Sequence, residues 1–171
     1  MFLDLIKKLS LKNIVKNNLA KTEAPTPKKI VTVGLLVDGT KFFDIEPLMA
    51  EFNKYGIEDK YIRALVLTKN KSAENSSNII YIRSKDIGMS GEITDSNIKI
   101  FEDYRFDMLV NYYDSNQINL TYLSSLSKAD FRVGFRLDNK LVNHFMIDSP
   151  IFDYKLFVEE LFKYLNVLNK I

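Results

Sequence analysis

The sequence predicts a three-layer, Rossmann-like α/β domain that carries an N-terminal helical arm. Uncharged apolar runs of strand length alternate along the chain with segments whose apolar residues recur at helical spacing. Residues 105–135 are the clearest unit, because an apolar run, a polar break, a short helix and a second apolar run follow one another there. Strands that are apolar throughout are covered on both faces, so we expect a mainly parallel sheet of five to six strands.

The first 20 residues are predicted to be helical, but their apolar residues do not form a single stripe. At about 100° per residue, one face carries Phe2, Leu5, Ile6 and Leu9. Another face, roughly half a turn away, carries Leu11, Ile14, Val15 and Leu19. The arm is therefore either two short helices divided near Ser10 or one helix that is apolar on two sides. The candidate partner-binding residues of this basic arm are Lys7, Lys8, Lys12 and Lys16.

Residues 21–29 are interpreted as a linker, because Pro25 and Pro27 disfavour a helix. The charge distribution also changes here. Residues 1–29 contain seven lysines and two acidic residues, a balance of +5, although the whole chain has a net charge of only +2. The basic character is therefore concentrated in the arm and linker, and residues 30–171 form a mildly acidic α/β domain.

The first half of that domain starts with a β-branched, uncharged strand over residues 30–37. A helix over residues 45–55 follows, with Asp44 as its expected N-cap and Gly56 at its end. Similar apolar runs predict strands over residues 61–68 and 78–83, and a helix capped by Asp95 or Ser96 extends to residue 104.

The second half contains the 105–135 unit and the last helix. The predicted segments are strands over 106–113, 131–135 and 143–147, and helices over 117–127 and 153–169. The last helix is the most regular of them, because Phe157, Leu161, Leu165 and Leu168 recur at helical spacing.

Composition restricts the chemistry. The absence of cysteine excludes disulfides, thiol catalysis and thiolate metal sites. A single histidine, His144, leaves little basis for an imidazole metal cluster or a serine-histidine-aspartate triad. No cofactor, metal site or catalytic residue is predicted. No apolar run approaches the length of a membrane span, and lysines interrupt the N-terminus where a signal peptide would be apolar, so we expect a bacterial-type cytoplasmic protein.

A candidate ligand site is predicted where two strands end. Asp38, Gly39 and Thr40 follow the first strand, and Asp114 and Asn116 follow the strand over 106–113. If those strands are neighbours, the five residues share the carboxyl edge of the sheet, where open α/β folds bind ligands. The alternative is that these residue types end strands because turns favour them.

Two resemblances start from the 105–135 unit. The pattern Phe106-Asp107-Met108-Leu109-Val110, with a helix and then Arg132-Val133-Gly134-Phe135, resembles the N-terminal, acceptor-side half of heptosyltransferase-like GT-B glycosyltransferases. Over its full length the chain more closely resembles a family of small uncharacterised bacterial proteins with a basic N-terminal helix. The first resemblance implies a Rossmann-like fold and a nucleotide-sugar or other small-molecule site, and the second implies no activity.

Two functional hypotheses follow. The favoured one is a non-enzymatic interaction module whose basic arm docks onto a protein or onto an anionic surface, either RNA or a membrane. The alternative is small-molecule or nucleotide-sugar binding at the carboxyl edge of the sheet. A homodimer in which arms are exchanged between protomers is a third arrangement that an apolar helix on a linker allows.

Overall fold

The computed structural model describes residues 1–171. Its helices are α1 (Phe2–Leu19), α2 (Ile45–Asn53), α3 (Ser96–Asp103), α4 (Ile118–Leu126) and α5 (Tyr154–Val167). Its strands are β1 (Val33–Asp38), β2 (Ile62–Leu67), β3 (Ile79–Ile82), β4 (Met108–Tyr112), β5 (Phe131–Phe135) and β6 (Phe145–Ile147). Every predicted strand and helix is confirmed in type, with ends that differ by up to three residues.

The six strands form one parallel sheet in the order β3-β2-β1-β4-β5-β6. This is the strand order of a Rossmann-type doubly wound sheet, so the predicted fold class is confirmed. The order reverses between β1 and β4, where Val37 is opposite Tyr112. The crevice beyond the carboxyl ends of these two strands is the usual ligand position of such folds.

Helices cover both faces of the sheet, which explains why most strand residues are apolar. Leu35 and Val37 face the core that α2 and α5 cover, and Leu36 between them faces the core under α1, α3 and α4. Alternation along β1 therefore supplies both cores.

The arm forms a single helix that packs against its own domain. Leu11, Val15 and Leu19 of α1 are buried in the same core as Leu120 and Leu123 of α4. Of the two predicted arrangements, one helix that is apolar on two sides is the observed one.

Residues 20–32, between α1 and β1, are held by contacts at the amino edge of the sheet. The Asp107 carboxylate accepts hydrogen bonds from the backbone amides of Val31 and Thr32, both at 2.9 Å, and forms an ion pair with Lys28. Burial alone would raise the pKa of Asp107, but these hydrogen bonds keep it below its usual value. Asp107, the aspartate of the 106–110 motif, therefore stabilises the segment that leads into β1.

The predicted helix ends agree with the structure except in one detail. The Asp95 carboxylate accepts hydrogen bonds from the amides of Asn97 and Ile98 at the start of α3. Gly56 follows α2 with a φ of +89°, which favours glycine. Asp44 occupies the N-cap position of α2, but its side chain accepts no hydrogen bond there. None of the helices combines the length and the apolarity that crossing a bilayer requires.

Candidate functional site

The predicted ligand residues lie at one edge of the sheet, but the structure divides them into separate contacts. β1 and β4 are neighbours, so Asp38 and Asp114 both lie at the carboxyl edge, as the hypothesis required. Their partners differ, however, and the two carboxylates make no common contact. Whether they bind a ligand stays a prediction.

Asp38 is 1 % exposed and closes the turn that follows β1. Its Oδ1 accepts hydrogen bonds from the Thr40 amide at 3.0 Å and from the Thr40 hydroxyl at 2.6 Å. Its Oδ2 is buried and has no hydrogen-bond partner. The pattern is that of an aspartate that stabilises its own turn and retains one free acceptor.

Close packing against β2 requires a glycine at position 39. A Cβ at this position would lie 2.5 Å from Val66 Cγ1 and 2.7 Å from the Leu67 carbonyl oxygen. The turn after β1 therefore approaches β2 too closely for any side chain. This contact explains the glycine without a ligand.

Lys41 connects the loops on either side of the crevice. Its ammonium lies 3.4 Å from the Asp114 carboxylate and 2.9 Å from the Ser115 hydroxyl. The Asp114 charge is thus compensated from the neighbouring loop. Asn116 points to a different partner, because its side-chain amide donates to Asp138 at 2.7 Å.

The four arm lysines also have different roles in the structure. Lys7 donates hydrogen bonds to the carbonyl of Ser84 and to that of Ile87 at 2.5 Å, and burial lowers its pKa. Lys8, Lys12 and Lys16 are exposed and form no ion pair. Lys7 therefore anchors α1 to the domain, and the other three remain available to a partner.

These three lysines lie on successive turns of α1 and line a cavity of about 510 Å³. The cavity lies between α1, the start of α4 and the loop between β5 and β6. Its other lining residues are Val15, Leu19, Asn116, Ile118, Thr121, Leu137, Asp138, Asn139, Leu141 and Val142. A basic rim above apolar walls suits an anionic molecule with an apolar part.

The first two turns of α1 expose a group of apolar side chains that belong to neither hydrophobic core of the domain. Phe2 is 74 % exposed and Leu9 is 54 % exposed. This group, the outward face of α1, consists of Phe2, Leu3, Leu5, Ile6 and Leu9. Most of it lies on the side of the helix opposite the buried Leu11, Val15 and Leu19. Contiguous exposed apolar surface of this kind marks interaction sites.

Asn116 and the arm lysines are predicted from the sequence as parts of two separate sites, and the structure brings Asn116, Lys8, Lys12 and Lys16 to one cavity. The spacing of four residues between Lys8, Lys12 and Lys16 was the available signal, since it predicts one helix face. The opposite wall depends on the position of the β5–β6 loop, which no local pattern specifies.

Comparison with known proteins identifies the family of the chain. The model of a family of unknown function matches residues 7–168. No curated protein and no solved structure matches the chain. The family match confirms the resemblance to uncharacterised proteins. The bacterial origin, the cytoplasmic location and the similarity to glycosyltransferases stay predictions.

Proposed function

The chain belongs to DUF6913, the family of unknown function whose model it matches, and we propose that it docks onto an anionic membrane surface through α1. The observation that carries the proposal is the outward face, which lies beside three lysines without ion-pair partners. Interfacial helices combine an apolar face with basic residues in this way.

The outward face favours a lipid surface over the other partners that the sequence allowed. Nucleic acid would be contacted by cations on the most exposed side of the helix, but that side is apolar over the first two turns of α1. At a protein interface, lysine is depleted relative to the rest of the surface. A bilayer accommodates both features, because apolar side chains enter the acyl boundary and lysines remain among anionic headgroups.

Each apolar side chain and each lysine is expected to contribute a similar amount to binding. Inserting one half-exposed Leu or Ile contributes about 1.5 kcal/mol or less, and one lysine near an anionic surface contributes about 1 kcal/mol. Five apolar residues and three lysines therefore share the binding free energy. Binding should then require both the outward face and negatively charged lipid.

The fold supports this role by presenting the helix in its folded state. The buried Leu11, Val15 and Leu19 hold the second half of α1 on the domain, and Lys7 holds the first half. Docking therefore does not include the entropic cost of folding the helix, which disordered basic segments incur on binding.

The experiment is co-sedimentation of the full chain with vesicles of phosphatidylcholine, with and without phosphatidylglycerol. We expect binding to the anionic vesicles that falls with salt. Leu5→Ser/Leu9→Ser should abolish it, because two apolar groups no longer insert. Val167→Ser/Leu168→Ser is the matched control, since these residues are exposed at the other end of the chain.

A second pair of variants tests the lysines. Lys8→Gln/Lys12→Gln should weaken binding to anionic vesicles, whereas Lys69→Gln/Lys71→Gln, in an exposed loop, should not. Equal sedimentation of the Leu5/Leu9 variant and the wild type would refute membrane docking.

The second candidate function is binding of an anionic small molecule in the 510 Å³ cavity. The observation in its favour is the mixed basic and apolar lining, which is of ligand size. This candidate keeps the carboxyl-edge hypothesis in modified form, since Asn116 lines the cavity but Asp38 and Asp114 do not. It would gain support if the lysine substitutions, but not the Leu5/Leu9 substitutions, reduced binding to the anionic vesicles.

A further inference from the structure

Arg132 is a buried cation without a counter-ion. It lies in β5 and is 3 % exposed. Its Nε donates to the Val142 carbonyl at 2.9 Å and one terminal nitrogen donates to the Thr22 hydroxyl at 3.0 Å. Both acceptors are neutral, and no carboxylate lies within ion-pair distance. Burying an unpaired charge is costly, so a compensating anion would be strongly favoured.

The guanidinium lines a second cavity, of about 290 Å³, at the amino edge of the sheet. This edge is opposite the carboxyl edge, where Asp38 and Asp114 lie. The walls come from the end of α1, the segment that follows it, and the loop between α4 and β5. The other charged residues of the lining are Lys21, Glu23, Arg105, Lys128 and Asp130.

Positive charge exceeds negative charge in this lining. Asp130 is compensated by Arg105 at 3.0 Å, and Lys128 pairs with Asp103 outside the lining at 2.9 Å. Glu23, Lys21 and Arg132 have no ion-pair partner, and Glu23 is exposed at the rim. The cavity thus holds two unpaired cations and one rim carboxylate.

His144 lines the same cavity beside Arg132. Its Nδ1 accepts the backbone N–H of Arg132 at 2.9 Å, which leaves the proton of the neutral ring on Nε2. Nε2 is buried and faces the Glu23 backbone, without a partner at full hydrogen-bond geometry. Burial lowers the pKa of His144, the Arg132 charge lowers it further, and the contact with the Glu23 backbone opposes both effects.

We infer that this cavity binds a tetrahedral oxyanion of the phosphate class, with Arg132 as its central ligand. The planar guanidinium presents paired donors that match phosphate oxygens. The Lys21 ammonium supplies a second positive charge, and the volume leaves room for a small organic group attached to the phosphate. The site is separate from the outward face of α1, so this inference is independent of the membrane proposal.

The test is titration of the full-length protein with inorganic phosphate at constant ionic strength, followed by calorimetry and by thermal unfolding. We expect saturable binding and a rise in Tm. Arg132→Met should weaken phosphate binding about tenfold or more, the equivalent of one charge-assisted hydrogen bond. Arg132→Lys, which retains the charge but not the fork, should bind with intermediate affinity. Arg136→Met, an exposed arginine just after the same strand, should bind like the wild type.

A rim variant keeps the inference testable if Arg132→Met fails to fold. Glu23→Gln removes the one unpaired carboxylate of the cavity without changing a buried group, so it should strengthen phosphate binding. Sulfate should compete with phosphate, because the geometry and charge are alike. Absence of saturable phosphate binding by the wild type, unchanged binding by Arg132→Met, or tighter binding of acetate than of phosphate would each overturn the inference.

Discussion

The two halves of α1 have similar compositions but different environments. The first half carries apolar residues and two lysines, and so does the second. Yet Leu11, Val15 and Leu19 are buried against α4, whereas Phe2, Leu5 and Leu9 are mostly exposed. The comparison shows that an apolar stripe predicts a contact but does not identify the partner. The Leu11, Val15 and Leu19 side of α1 packs against this domain, whereas the outward face belongs to neither of its hydrophobic cores.

The largest expected effect on stability comes from replacing a leucine by alanine in each half of α1. Leu11→Ala should lower the free energy of unfolding by about 3 kcal/mol, because a fully buried side chain leaves a cavity. Leu9→Ala should change it by less than about 0.5 kcal/mol, since the side chain is exposed. Urea unfolding of both variants measures the difference. Equal losses would mean that the outward face is buried in solution, as in an arm-exchanged dimer.

A pH-dependent effect of intermediate size comes from α3, on the face of the sheet that α1 also covers. The Glu102 carboxyl is buried without a hydrogen-bond partner, and burial, with Asp103 adding to it, raises its pKa from 4.5 to about 8. Between these two values the folded protein keeps a proton that the unfolded chain has lost. Stability should therefore fall as pH rises through that window.

Glu102→Gln removes this pH dependence while keeping the shape of the side chain. We expect the variant to gain about 2 kcal/mol or more relative to the wild type between pH 5 and pH 9. Thermal unfolding across that range measures the gain. Glu159→Gln, on the exposed side of α5, is the control. Parallel pH profiles for Glu102→Gln and the wild type would contradict the assignment.

The smallest expected effect on stability is the difference between replacing Lys7 and replacing its neighbour Lys8. Lys7→Ala removes two hydrogen bonds to loop carbonyls and should cost about 1 kcal/mol, with faster amide exchange in the first turns of α1. Lys8→Ala should leave stability unchanged, because Lys8 forms no ion pair in the structure. Hydrogen exchange resolves the two variants, and indistinguishable exchange would mean that Lys7 does not anchor the helix.

The two edges of the sheet provide a second comparison. At the carboxyl edge, the Asp38 carboxylate has a partner in Thr40 and the Asp114 carboxylate has one in Lys41. At the amino edge, Arg132 has only neutral acceptors. Turn-forming residues made the first edge conspicuous in the sequence, whereas an arginine within an apolar strand gives no local sign that its counter-ion is missing.

Most of the fold could be predicted from the sequence, because strand and helix signals are local. The β-branched run of β1, the Asp95 cap and the glycine after α2 act within a few residues. The candidate sites could be predicted only in part. The lysines and Asn116 were identified as residues, but their common cavity depends on where the β5–β6 loop lies.

The sequence by itself determined the alternation of strands and helices, the parallel character of the sheet and the two apolar sides of α1. Periodicity, capping and turn residues encode these features over short windows. Only the tertiary structure decided the strand order, which side of α1 is buried, that Lys7 is the anchor and that Arg132 is unpaired. Those outcomes depend on contacts such as Lys7 with Ile87 and Arg132 with Thr22, whose partners are 80 and 110 residues apart in the chain.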